Sequence, residues 1–143
     1  MVKLKDIRQW CEAIAARIPE IKTVMGLSVE ANLADRIRAI AESQTPALFY
    51  LPPTADGSGR PDAFVEVNQI VLFVLQKYSR RSSLEVLEEV QPVAEYVKAM
   101  IIEDADTPCA GLRLQHDTIS TMPETENFGN WAGWAIGFTV ISE

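Results

Sequence analysis

The chain has 143 residues, 48% of them hydrophobic and 23% charged, with a formal net charge of -7. That length supports one domain with a sizeable core, and the composition excludes a disordered chain. The charge is uneven: residues 1–72 carry 8 basic and 9 acidic side chains, residues 73–143 carry 5 and 11. No basic stripe is available to track phosphates, which argues against general nucleic-acid binding.

The N-terminal stretch MVKLKDIRQW is charged and amphipathic, without the apolar segment of a secretory signal. The longest apolar run, IVLFVL, is too short to cross a bilayer as a helix. A soluble, intracellular protein is the expectation. The two cysteines, Cys11 and Cys109, lack metal-ligand spacing and are expected to be reduced thiols.

Leu4, Ile7, Cys11, Ile14 and Ile18 recur at three- and four-residue steps, which predicts an amphipathic helix over residues 3–18, closed by Pro19. The segment IKTVM before Gly26 is compatible with a short edge strand. A second helix is expected from about Glu30 to Ser43, with Leu33, Ile37, Ile40 and Ala41 on one face and Gln44-Thr45-Pro46 as its stop. ALFYL, residues 47–51, reads as a short apolar strand. The stretch from Pro52 to Pro61, with Asp56-Gly57-Ser58-Gly59 inside it, reads as a long polar loop.

The chain is organised around residues 63–78, AFVEVNQIVLFVLQKY, which hold no Gly or Pro. Val65 and Val67 alternate with Glu66 and Asn68, which predicts one wet face; residues 70–75 are apolar on both faces, as where a strand is covered twice. Fully extended, the stretch spans on the order of 50 Å at about 3.3 Å per residue. Asn68-Gln69, where the alternation slips, is the expected bulge, and the first half is expected to project from the sheet.

Ser82 and Glu85 form a capping box. The helix they start is expected to bury Leu84, Leu87, Val90, Val93 or Ala94, Val97, and Met100 or Ile101, with a kink at Pro92. Asp104, Asp106, Pro108 and Gly111 make the exit turn. Residues 112–120 then alternate as a strand, the polar stretch TMPETENFGN intervenes, and residues 131–141, WAGWAIGFTVI, form the last strand. Its large face is Trp134, Ile136, Phe138 and Val140. Its small face, Gly133, Ala135, Gly137 and Thr139, invites close approach of another backbone or helix.

No catalytic constellation emerges. The single histidine, His116, adjoins Asp117, but neighbours on a strand point to opposite faces, so Asp117 cannot orient it. There is no G-x-S-x-G, P-loop or G-x-G-x-x-G, and no zinc ligand set. Glu88 with Glu89, or Glu103 with Asp104 and Asp106, read as a solvated acidic helix surface. The latter trio sits at the negative end of the helix dipole, where a cation or basic partner would relieve repulsion. No enzyme, cofactor or metal is expected.

The order of these elements resembles the tail terminator (minor tail protein U-like) family of long-tailed bacteriophages and related tail-completion proteins. The resemblance is carried by P-A-L-F-Y-L before a polar loop and by V-N-Q-I-V-L-F-V-L. It also rests on the Ser82 helix with Pro92 inside it, and on T-I-S followed by A-G-W-A-I-G-F-T-V. The helix expected between Glu30 and Ser43 departs from the family pattern, which has a short β segment there.

The resemblance implies an α+β fold in one domain: a mostly antiparallel sheet of four to five strands with helices mainly on one face. It also implies a homo-oligomer, a hexameric ring that caps the tail tube and meets the tail tube and head–neck proteins. The host cytoplasm and the virion tail are the places this implies. Lys77, Arg80 and Arg81 precede seven acidic residues between Glu85 and Asp106. Arg80 and Arg81 of one subunit are therefore expected to meet Glu85, Glu88 and Glu89 of the next, with Asp56 and Arg60 as further contacts. The competing expectation is an intracellular interaction or small-ligand-binding module of the same fold class, unrelated to phage.

Overall fold

The computed structural model describes residues 1–28, 33–105, 112–125 and 129–142. In chain order these form α1 (Leu4–Arg17), β1 (Thr23–Gly26), α2 (Leu33–Arg38), β2 (Ala47–Tyr50), β3 (Thr54–Ser58), β4 (Val65–Lys77), α3 (Ser83–Asp104), β5 (Leu112–Glu124) and β6 (Trp131–Ser142). The fold is α+β. The strands make one mixed sheet in the order β1-β2-β4-β6-β5, with β3 also on β4. The sheet has six strands rather than four or five. Among the described strands, only the β1–β2 pairing is parallel.

β4 is the axis of the sheet. On one side β6 pairs with it without a register shift, from Glu66↔Ser142 to Lys77↔Trp131. On the other side two short strands share its length: β3 along Val65–Gln69 and β2 along Leu72–Leu75. The expected bulge at Asn68-Gln69 is therefore absent, and the strand does not project. What changes near Gln69 is the partner, not the register. The expected polar loop at 52–61 supplies that partner, because β3 folds back on β4 through the turn after Gly59, whose φ is 103°.

Two cores lie on the two faces. Even-numbered β4 residues Ile70, Leu72 and Val74 join Ile7, Cys11 and Ile14 of α1 and Val86, Val90, Val93, Val97 and Ile101 of α3. The α3 stripe steps by four, three, four and four residues, the spacing of one helix face. Its phase differs from the one expected at the start: Val86 is buried and Leu84 is 65% exposed. Ser82 Oγ accepts from the Glu85 amide at 3.2 Å as the capping motif requires, and the helix continues through Pro92, which lies on its exposed side.

On the second face, Phe73 and Leu75 pack with Ala47, Phe49 and Trp131 beneath Leu27, Ile37 and Ile40. Phe49 and Trp131 meet edge to face with ring centres 5.5 Å apart. A parallel β1–β2 pair needs a crossover, and the segment carrying α2 is that crossover. Among the described residues of the helix expected from Glu30 to Ser43, Leu33–Arg38 are helical and a 3₁₀ turn follows at Glu42–Gln44. Residues 29–32 lie outside the described ones, as do Asp106, Pro108, Cys109 and Gly111 of the expected exit turn.

Candidate functional site

The first half of β4 faces opposite to the way its alternation suggests. Asn68 is fully buried on the α1/α3 face, while Val65 and Val67 are only half-buried on the other. Asn68 can go inward because every polar atom of its amide finds a partner. Its Oδ1 accepts from the Val2 amide at 3.0 Å, and its Nδ2 donates to Ser142 Oγ at 2.9 Å and the Val140 carbonyl at 3.2 Å. This one side chain ties the start of the chain to β4 and β6. Beside it, the Met1 amino group pairs with Glu66.

The consequence is a second face that α2 covers at one end only. Beyond Phe73 the face continues through half-buried Val71, exposed Gln69 and half-buried Val67 and Val65 on β4. Residues opposite one another in register share a face. One row across this open end therefore reads Asp56, Val67, Ile141, Arg113, and the next reads Thr54, Gln69, Thr139, Gln115. Met122, on β5 opposite Ala135, is 62% exposed on the same face.

β5 carries the irregularity that β4 lacks. Gln115 pairs with Thr139 and Ser120 with Gly137, so residues 116–119 stand opposite Phe138 alone. Thr118 closes this bulge: its hydroxyl donates to the Gln115 carbonyl at 2.6 Å and accepts from the Thr139 amide at 2.9 Å. Below it lies a recess of about 190 Å³ lined by Gln69, Val71, Ser120, Gly137 and Thr139. A Cβ at Gly137 would stand 3.3 Å from Ser120 Oγ. His116 and Asp117 sit in the bulge, both exposed. The simple strand alternation expected through them ends at Gln115.

Some of the charged residues singled out in the sequence, Lys77, Arg81 and Glu89 among them, are engaged within the chain. Lys77 Nζ donates to the Ile40 carbonyl at 2.9 Å and the Arg38 carbonyl at 3.1 Å, capping the end of α2. Arg81, just before α3, pairs with Glu89 on that helix. Arg80, Glu85, Glu88, Asp56 and Arg60 are exposed, with Glu85 and Glu88 one turn apart on α3 and Asp56 on β3. At the end of α3, Asp104 is met by a side chain of the same chain, Arg17, rather than by a bound cation or a basic partner. Its guanidinium grips Asp104 at 3.0 and 2.5 Å, and Trp10 Nε1 donates to the same carboxylate at 2.7 Å.

Burial opposes the charge on Asp104, but the hydrogen bonds from Arg17 and Trp10 and the Arg17 charge outweigh it, so its pKa falls below the usual value. Cys11 is the reverse case: burial, and then the charge of Glu12, push its thiol up to about 12, a core position without thiolate reactivity.

Among the described residues, no group of three or more His, Cys, Asp or Glu side chains is placed to hold a metal ion, and no helix is long and apolar enough to cross a membrane. No family model matches the chain, and no curated protein matches its sequence.

Proposed function

We propose that the chain is a structural subunit of the tail terminator or head–tail joining type, which assembles with copies of itself into a ring that caps a phage tail tube. The supporting observation is the unevenly covered sheet. Both long helices pack on one face, while the other keeps valines and an isoleucine half-exposed beyond the reach of α2. A subunit that completes its surface by association keeps such a face. The element order also agrees with the tail terminator resemblance, with the stretch from Glu30 to Ser43 as its point of departure.

Of the basic pair, Arg80 is the residue that suits a contact with Glu85 or Glu88 of a neighbour, because Arg81 is engaged by Glu89. Native mass spectrometry and negative-stain microscopy test the reading: six-subunit rings are expected, and a strict monomer at high concentration would overturn it. The recess under the β5 bulge favours a second reading, a small-ligand-binding module. Its volume of about 190 Å³ is below the roughly 300 Å³ at which ligand pockets usually begin. Thermal stabilisation of a monomer by small polar metabolites would favour that module instead.

A further inference from the structure

The open end of the second sheet face carries a pattern that selects its own copy. Its outermost complete row runs Asp56, Val67, Ile141, Arg113 from the β3 edge to the β5 edge. Acid stands at one end, base at the other, and two branched apolar residues between. Rotating a second copy by a half-turn about an axis parallel to the strands, between β4 and β6, lays the same row over itself in reverse. Asp56 then faces Arg113 of the other copy and Val67 faces Ile141. The next row follows the same rule: Thr54 faces Gln115 and Gln69 faces Thr139, each pair combining donors with acceptors. From this we infer that the open half of the second face is a two-fold interface between two copies of this chain.

The occupant follows from charge and chemistry together. A generic apolar partner would leave Asp56 and Arg113 facing uncharged surface, whereas a second copy neutralises both at once and does so twice per pair. Face-to-face sheets pack about 10 Å apart through such rows of side chains. The contact is isologous and so distinct from the heterologous one that closes a ring. It draws on the same open face as the tail terminator reading, which takes that face only as a sign of assembly, and it needs no ring. If rings form, it sets two of them face to face.

The test is the mass of the full chain in solution, by native mass spectrometry and light scattering, with circular dichroism to verify folding of each variant. The wild type is expected as a dimer or an even-numbered assembly, and Val67→Glu is expected to halve its mass. Asp56→Arg and Arg113→Glu should each weaken association about tenfold, as two lost surface pairs of under 1 kcal/mol each would do. The double variant Asp56→Arg/Arg113→Glu restores it, because the reversed row is again complementary. A monomeric wild type, a Val67→Glu chain of unchanged mass, or single charge variants not rescued by the double would each overturn the interface. A six-subunit ring untouched by Val67→Glu leaves the tail terminator reading standing and removes this one. A dimer that forms no ring does the opposite.

Discussion

Asn68 and Asp104 show how a single polar residue takes a position its type does not announce. Asn68 reads as the wet residue of an alternating strand, yet it is fully buried because Val2, Val140 and Ser142 satisfy its amide. Nothing local in V-E-V-N-Q reveals that, since the partners lie 66 to 74 residues away. Asp104 reads as part of an acidic helix end, and its partner Arg17 comes from another helix. The pairing makes a pH prediction. A carboxylate whose folded pKa is depressed adds stability that is present above its unfolded value and lost as pH falls through the folded one. Arg17→Gln is expected to lower stability by about 1 kcal/mol at neutral pH, discounted for the exposure of the guanidinium. The gap from wild type should close only as pH falls below the usual carboxylate range, through the depressed folded value of Asp104. Urea unfolding at a series of pH values measures it, and a gap unchanged down to strong acid would refute the assignment.

At the scale of elements, α1, β4, α3 and β6 were legible because their apolar spacing is long and regular, and β2 because it is a short apolar run that ends at Pro52-Pro53. The errors fall where spacing alone leaves a choice. The α3 stripe starts from Val86 rather than Leu84, a phase that the first turn does not set. The irregular strand is β5 rather than β4, because the Thr118 hydroxyl bridges Gln115 and Thr139 across a bulge, while the Asn68 amide is held by other partners. The 52–61 stretch reads as a loop on composition, yet its centre is a strand, since the free edge of β4 offers it five paired positions. The small face of β6 was identified correctly, but its occupant at Gly133 is the neighbouring β4 backbone: an added Cβ would overlap the Val74 carbonyl oxygen. Gly133→Ala is therefore expected to destabilise the fold by about 1–3 kcal/mol, as overpacking does. Gly129→Ala supplies a comparison, because no atom lies within 4 Å of its built Cβ although its φ of 64° adds backbone strain. A denaturation midpoint for Gly133→Ala equal to wild type would show that the two strands can separate there without loss.

For the whole molecule, two cores share one sheet, and β4 contributes to both. That makes cooperative unfolding of a single domain the expectation. Trp10 reports the α1/α3 side, where it meets Phe138 edge to face at 5.7 Å, and Trp131 reports the α2 side. In variants keeping one of these tryptophans, the fluorescence and far-UV transitions should coincide. An earlier Trp131 transition would mean that the α2 side opens by itself. The sequence by itself determined the fold class, the long central strand, the capped helix after it and the large and small faces of the last strand, because periodicity and capping are local. Tertiary structure decided which face of β4 is dry, that the 52–61 segment is a strand, and that Lys77, Arg81 and Arg17 are satisfied within the chain. Those outcomes depend on partners distant in sequence. The same long-range pairing lines up Asp56, Val67, Ile141 and Arg113 in one row, from four strands that no stretch of sequence joins.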